Sequence, residues 1–418
     1  MPNYHIWTIG CQMNKAESER LSSLFEQLGY QPTDTAETAD LIVLNSCVVR
    51  QRAESRVINK LHTLKPLKQL HPGIKIAVTG CLVSPELDRL RKTFSHVDHF
   101  FRPGDCPSWL EKTENDQMLP GQPSPSTFVP IMQGCNNFCT YCIVPYRRGR
   151  ERSRPVAEIT CEVRELTRRS TREVILLGQN VDSYGHDLPD KPELADLLTE
   201  LNTIDCLSRI RFLTNHPKDM SPRLIEAIAS QDKVCEEISL PVQSGDNEIL
   251  RAMGRGYTVE HYRQLISRMR RRIPQVALST DVIVGFPRES EAQFQHTFSL
   301  LAELRFDIVH IAAYSPRTGT AAAENLEDDV PLAEKNARLT RIEELQERIV
   351  CEINAQLLGR TVEILVEGRV KGKWQGRTRS GKLVFFNHPD DHLGQLVNIK
   401  IEKTSPWSLQ GELETSLK

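Results

Sequence analysis

The densest chemistry in this sequence is GCNNFCTYC, which places Cys135, Cys139 and Cys142 within eight residues, directly after the apolar run FVPIM. A structural zinc site normally takes four ligands, and no fourth Cys or His lies close by in the sequence to complete one. A four-iron four-sulfur cluster accepts thiolates at such short spacings, and three of them leave one iron open to a substrate or cofactor. Zinc and unliganded structural thiols are the competing readings.

Three further cysteines recur in a common context: Cys11 in TIGCQMN, Cys47 in LNSCVVR and Cys81 in VTGCLVS, each within a few residues of the end of an apolar run. The runs HIWTI, LIVLN and IKIAVTG are each followed by a polar, helix-compatible segment, an α/β pattern with parallel strands. All carboxyl ends of a parallel sheet lie on one edge, so three cysteines far apart in sequence can converge there as ligands. Buried structural thiols are the plainer reading, since free Cys is commonly buried. Cys106, Cys161, Cys206, Cys235 and Cys351 have neither partners nor motif context and are expected to be core or surface thiols.

The elements that position these residues fall into three expected domains, 1–116, 117–350 and 351–418. The first boundary lies in the Pro-rich stretch Glu114 to Phe128, and the second near Val350, where the charged helical run AEKNARLTRIEELQERIVCEINAQLL gives way to short apolar stretches. In the middle segment FVPIM, EVILL, RIRFL, EISLP, LSTDVIV and DIVHIAAY predict six βα units forming a partial barrel. The motifs after each run, among them GQNVDSYG, TNHPKD, PVQSGD and GFPRES, then share the carboxyl face, where such barrels carry their chemistry. VEILVEG, KLVFF and LVNIKIE near the end suit a small antiparallel barrel.

With 418 residues, 39% hydrophobic and 26% charged, the composition is that of globular protein, and no stretch approaches the roughly 18–20 apolar residues of a membrane span. MPNYHIWTIG has no basic region followed by an apolar run, so a secretory signal is not expected and the cytoplasm is the expected compartment. Eleven cysteines, an odd number, in a reducing compartment argue against a disulfide framework. A net charge of -2 means that any contact with RNA uses local patches. One is PYRRGRERSR, where Arg147, Arg148, Arg150, Arg152 and Arg154 suit phosphate contacts beside the cysteine loop; pairing with Glu151 and Glu158 is the structural alternative. Arg268, Arg270, Arg271 and Arg272, at the end of a predicted helix, are taken as structural. Another patch holds Lys371, Lys373, Arg377, Arg379 and Lys382 around Trp374, itself either a stacking or a core aromatic.

The cysteine loop, with an aromatic before its last cysteine, resembles the radical S-adenosylmethionine superfamily. Together with GCQMN, LNSCVVR, TGCLV, LLGQNVDSYG, LPVQSG, RGYT and TDVIVGFP, it resembles the methylthiotransferases over nearly the whole chain. Residues 355–415, notably VEGRVKGKWQGRTRSGKLVFF, resemble the TRAM RNA-binding domain. The resemblance implies an α/β methylthiotransferase domain, a partial (βα)6 radical S-adenosylmethionine barrel and a small TRAM β-barrel. It implies two four-iron clusters, one on Cys135, Cys139 and Cys142 and an auxiliary one on Cys11, Cys47 and Cys81. S-adenosylmethionine would meet Gly178, Gln179 and Gln243, whereas for Asp281 ordinary hydrogen bonding at the barrel mouth is an equal reading. RNA contacts are expected from Arg147, Arg148, Lys373 and Arg377.

The implied reaction adds a methylthio group to C2 of N6-dimethylallyladenosine next to the tRNA anticodon, using two molecules of S-adenosylmethionine. The anticodon stem-loop, an electron donor such as flavodoxin or ferredoxin, and a sulfur source are the implied partners. No side chain is assigned as general base, because activation of such a C–H bond belongs to the cofactors. The same reaction on N6-threonylcarbamoyladenosine is the nearest alternative, and a non-catalytic iron-sulfur RNA-binding sensor a distant one. At three positions the chain departs from the family's usual residues: Arg288 for Gly after GFP, Ala321 for Pro after GT, and Asn215 for Ser.

Overall fold

The computed structural model describes residues 1–49, 51–83, 87–103, 105, 109, 119, 121 and 124–414, so Cys106 and most of the Pro-rich stretch lie outside the described residues. Two compact units emerge: Met1–Gln122 with Gln133–Phe138 and Cys142–Arg152, and Pro123–Met132 with Cys139–Tyr141 and Ser153–Lys418.

In the first unit the strands β1 (Asn3–Ile9), β2 (Gln31–Pro32), β3 (Leu41–Ser46), β4 (Lys75–Gly80) and β5 (His99–Phe100) form a parallel sheet in the order β2-β1-β3-β4-β5. Alternation along β3 and β4 divides the core. Ile42, Leu44, Ile76 and Val78 pack beneath the Gln51–Leu70 helix residues Val57, Leu61 and Leu64, while Leu41, Val43 and Ala77 pack with Leu21, Leu24 and Phe25 of the Gln12–Gln27 helix. A sheet buried on both faces explains the uninterrupted apolar runs. The two edge strands are only two residues long and carry no periodic signal.

The second unit holds the six expected parallel strands, Ser126–Pro130, Glu173–Leu177, Arg209–Phe212, Glu237–Ser239, Ala277–Val284 and Ile308–Ala313. They form two three-stranded sheets joined where Ile210 bridges Val234, a partial barrel. Helices between the strands carry their own start signals: Ser221, Asp246, Thr258 and Ser290 each accept a backbone N–H in the first turn. Two of the departures from family usage have a local meaning. Arg288 adopts φ +68°, a conformation glycine takes without strain, and Ala321 is the first residue of a helix capped by Thr320, where proline is well suited.

A closed five-stranded barrel ends the chain, formed by Thr361–Val370, Lys373–Thr378, Leu383–Phe386, Leu396–Thr404 and Leu409–Leu413. Trp374 is a core residue there, packed with Ile364, Val384, Phe386 and Ile401, and its indole N–H donates to the carbonyls of His388 and Asp390. This barrel sits on the amino-terminal ends of the parallel strands. Arg209 donates to the carbonyl of Arg377 and the carboxylate of Glu363, and Arg211 to the carbonyls of Thr378 and Arg379. Both guanidiniums are buried, and Arg211 is balanced by Glu173 and Glu237. Arg379 pairs with Glu236 and Lys382 with Asp307, so these two members of the basic patch are joints between the two barrels. Among the described residues no helix is long and apolar enough to cross a membrane.

Candidate functional site

The first unit brings Cys11, Cys47 and Cys81 to the carboxyl edge of β1, β3 and β4. Cys11 caps the Gln12–Gln27 helix, and its backbone N–H donates to Asn14 Oδ1 at 3.2 Å. Asn14 is fully buried and reaches across to the next strand: its Nδ2 donates to Asn45 Oδ1 (2.8 Å) and to the Ser46 carbonyl (3.1 Å), while Asn45 Nδ2 donates back to the Asn14 carbonyl. GCQMN and LNSC are thereby clamped together. The third strand joins through Cys81, whose N–H donates to the Ser46 carbonyl at 2.7 Å. Gly80 makes this possible: it has φ +89°, and a Cβ there would lie 2.2 Å from that carbonyl oxygen.

Cys47 and Cys81 are buried; Cys11 is exposed. Cys47 donates a hydrogen bond to Cys81, which raises the Cys47 thiol and lowers that of Cys81; burial opposes the second effect and the Arg148 guanidinium reinforces it. The charge of Cys11 also acts on Cys47, in the same direction as burial. No three His, Cys, Asp or Glu side chains among the described residues close on a single ion. Thiolates around a larger cluster need not converge on one point, and a site with a lowered thiol and a neighbouring guanidinium suits such a group.

Arg148, expected at an RNA contact, is turned inward in the structure. It ends the short helix Val144–Arg148, only 2% of its side chain is exposed, and its Nε donates to Cys81 Sγ at 3.3 Å. Its Nη1 donates to Glu17 Oε1 at 2.7 Å. Burial works against the charge, but Glu17 and Cys81 keep the guanidinium protonated. A side chain so enclosed and held between Glu17 and Cys81 is not open to an RNA phosphate, and the expected RNA contact at Arg148 is withdrawn. Arg154 is likewise committed, to Glu158, Glu162 and the Pro130 carbonyl. Arg147 is half-buried with its Nε unpartnered.

Of the cysteine loop, Cys135 and Cys142 belong to the first unit and Cys139 to the second. Asn137 N–H donates to Cys135 Sγ (3.5 Å), and Cys135 N–H to the Gly149 carbonyl (3.2 Å). Cys139 is buried, and Arg255 Nη1 donates to its Sγ at 3.4 Å. Arg255 also donates to Tyr257 Oη (3.0 Å) and the Pro241 carbonyl (3.0 Å). Among the described residues no carboxylate stands at ion-pair distance from it.

At the carboxyl ends of the second and third barrel strands lies a buried polar network that periodicity could not reveal. Asp182 accepts from the N–H of His216 at 2.9 Å and from Asn215 Nδ2, and Asn180 donates to Asp219 at 2.7 Å. Burial pushes Asp182 up to about 7 against those two hydrogen bonds, and burial with the charges of Arg255 and Lys218 drives His216 down to about 2. Asn180 Oδ1, Asn215 Oδ1 and His216 Nε2 are buried without partners, as expected of groups that complete their bonding with a ligand. Backbone strain gathers here too: Thr214 has φ +75° and Gln243 φ +70°, both unusual for residues with a Cβ. Gln243 bridges Val282, its N–H donating to the Asp281 carbonyl. At Gly178 a Cβ would meet Met132 Cγ at 2.6 Å, so packing alone demands glycine. Gln179 lies beside it, half-buried.

Comparison with known proteins agrees with this anatomy. Residues 3–102 match an uncharacterized protein family, UPF0004; residues 129–301 the radical SAM superfamily; and residues 355–413 the TRAM domain. Among solved structures, the radical S-adenosylmethionine methyltransferase TsrM from Kitasatospora setae, with cobalamin and a [4Fe-4S] cluster bound, superposes with a TM-score of 0.57. It covers 90% of this chain and 80% of its own at 12% identity, a likeness of fold alone. tRNA-2-methylthio-N(6)-dimethylallyladenosine synthases are far more similar. That of Dehalococcoides mccartyi strain CBDB1 is 57% identical over 99% of both chains, and that of Chloroflexus aurantiacus 50% identical over 98% of this chain and 91% of its own. On identity of this extent across all three matched segments, the chain belongs to the tRNA-2-methylthio-N(6)-dimethylallyladenosine synthase family of radical S-adenosylmethionine proteins.

Proposed function

We propose that this chain is the enzyme that methylthiolates C2 of N6-dimethylallyladenosine beside the anticodon of tRNA. Besides family membership, the observation that carries this reading is the second cysteine triplet, with Cys11 and Cys47 joined by the Asn14–Asn45 clamp and Cys81 by its N–H on the Ser46 carbonyl. Cys135, Cys139 and Cys142 would hold a cluster that, with S-adenosylmethionine, would supply the radical chemistry the C2–H bond requires, and Cys11, Cys47 and Cys81 would hold an auxiliary cluster that would supply sulfur.

The residues of the chain do the remaining tasks. Arg255 places a buried positive charge on the Cys139 sulfur. Asn180, Asn215 and His216 offer unpartnered polar atoms at the carboxyl face, and with Gly178, Gln179 and Gln243 are proposed to line the S-adenosylmethionine site. His216 is neutral across the working pH range, so its Nε2 serves as a hydrogen-bonding group and not as a cation. RNA contacts are assigned to Arg147 and to Lys373 and Arg377, both exposed on the terminal barrel. A low-potential donor such as flavodoxin or ferredoxin, a sulfur source and a cytoplasmic setting complete the proposal.

Reconstitution tests it. The wild-type protein should bind about eight irons, Cys135→Ala/Cys139→Ala/Cys142→Ala about four with no cleavage of S-adenosylmethionine, and Cys11→Ala/Cys47→Ala/Cys81→Ala about four with cleavage but no methylthiolated product. Nucleoside mass spectrometry of tRNA then identifies the base. Accumulation of methylthiolated N6-threonylcarbamoyladenosine in place of the dimethylallyl product would overturn the substrate assignment.

A further inference from the structure

The geometry points to a role for Arg148 and Glu17 that the reaction assignment leaves open: together they form a charge-setting pair for the auxiliary cluster, with Arg148 as a positioning residue for Cys81 and Glu17 as the counterweight that limits its charge. This rests on the reading that Cys11, Cys47 and Cys81 hold a cluster. Arg148 divides its guanidinium between two tasks, Nε on Cys81 Sγ at 3.3 Å and Nη1 on Glu17 Oε1 at 2.7 Å. Nη2 donates to Glu17 Oε2 at 3.4 Å, so both Nη groups hold the carboxylate while the Nε–H is directed at the sulfur. A purely structural ion pair needs no donor aimed at a thiol. The pair is enclosed, its side chains 2% and 13% exposed, so solvent screens it little.

One-electron reduction adds a negative charge to an iron-sulfur cluster, and hydrogen bonds to the sulfurs, together with local net charge, set how readily it occurs. A guanidinium N–H on Cys81 favours the reduced form and raises the midpoint potential. Glu17, by opposing that charge, lowers it.

The two residues therefore act with opposite sign. The test uses the full-length chain carrying Cys135→Ala, Cys139→Ala and Cys142→Ala, so that the auxiliary cluster alone is read, in mediated titration with dithionite followed by electron paramagnetic resonance. Glu17→Gln should shift the midpoint upward and Arg148→Gln downward, with about four irons retained; Arg148→Lys, which keeps the charge but not the forked donor, should fall between wild type and Arg148→Gln. Unchanged midpoints in cluster-bearing Glu17→Gln and Arg148→Gln would overturn the proposal. If Arg148→Gln cannot hold iron, Glu17→Gln decides alone, since it keeps Arg148 and all three thiols; loss of iron from both marks a structural brace and also overturns it. A parent chain that binds no iron removes the auxiliary-cluster reading itself, a failure separate from that of the pair.

Discussion

Each unit of this molecule aims a buried guanidinium at a cysteine proposed as a cluster ligand, Arg148 at Cys81 and Arg255 at Cys139, yet the two are balanced differently. Arg148 has Glu17 at 2.7 Å, whereas among the described residues Arg255 donates to a tyrosine hydroxyl and a carbonyl besides its sulfur and meets no carboxylate. Isolated charge is costly to bury, so an uncompensated guanidinium is a site that expects an anion. The difference separates a pair complete in the protein from one completed by what binds. Thiolates on a cluster, or the carboxylate of S-adenosylmethionine, would meet that need at Arg255.

The contrast is most exposed in the cluster-free, reduced protein, where the largest effect is expected. Arg148→Leu strands the Glu17 carboxylate and should cost roughly 3–5 kcal/mol, the range for breaking a buried pair from one side. Arg255→Leu strands no charge. It should change stability by no more than about 1 kcal/mol, since Tyr257 also donates to the Pro241 carbonyl. Anaerobic urea unfolding of both variants against wild type measures this. An equal loss from each would show that backbone acceptors balance Arg255 as fully as Glu17 balances Arg148.

That asymmetry could not be read from PYRRGRERSR, because a run of charges does not disclose which member turns inward. Five arginines in eight residues resolve into distinct fates: Arg148 to Glu17 and Cys81, Arg154 to Glu158, Glu162 and a carbonyl, Arg150 over the Phe138 ring at 4.4 Å, Arg147 half-buried and Arg152 exposed. The cysteines were legible for the opposite reason. Each follows an apolar strand, and parallel topology then fixes which edge it occupies. Strand runs with buried alternation were equally plain, while LQGEL and KWQGRT, polar strands of the closed barrel, carry too little apolar pattern to be recognised alone. Asp182 and His216 stayed hidden because their partners are loop groups brought together only by the fold.

Asp182 sharpens the comparison, because it is a buried carboxyl of the second unit whose charge is disfavoured and that pairs with no cation among the described residues. Its folded pKa of about 7 lies above the ordinary 3.8, so the native state holds its proton more tightly than the unfolded chain does. The stability it contributes is therefore fully present below about pH 4 and is lost as pH rises to about 7. Relative to Asp182→Asn, wild type should lose about 3 kcal/mol between pH 5 and pH 8, as two pH units of proton linkage require. A flat difference between the two proteins, measured by urea midpoints across that range, would mean that Asp182 is ionised in the fold.

The smallest expected effect concerns Gln243, whose backbone is strained at φ +70° close to the Arg255 pocket, where Arg255 and Tyr257 both hold the Pro241 carbonyl. Two roles for it differ in what a paired substitution does. Gln243→Gly removes the strain together with the side chain; relief of about 1–2 kcal/mol is largely offset by the greater freedom of glycine in the unfolded chain, about 0.5–1 kcal/mol, so a net gain of no more than about 1 kcal/mol is expected. Gln243→Ala keeps the strain and removes only the amide, leaving stability close to wild type. If the amide contacts S-adenosylmethionine, both variants should weaken its binding by a similar factor of about 5–10, the worth of one hydrogen bond. If Gln243 serves only to shape the barrel mouth through its backbone bridge to Val282, Gln243→Ala should bind the cofactor as wild type does and only Gln243→Gly should differ. Equilibrium binding of S-adenosylmethionine to the reconstituted variants, read beside their melting temperatures, separates the two roles, and unaltered affinity in Gln243→Ala would leave Arg255 as the nearer candidate for recognising the cofactor's carboxylate.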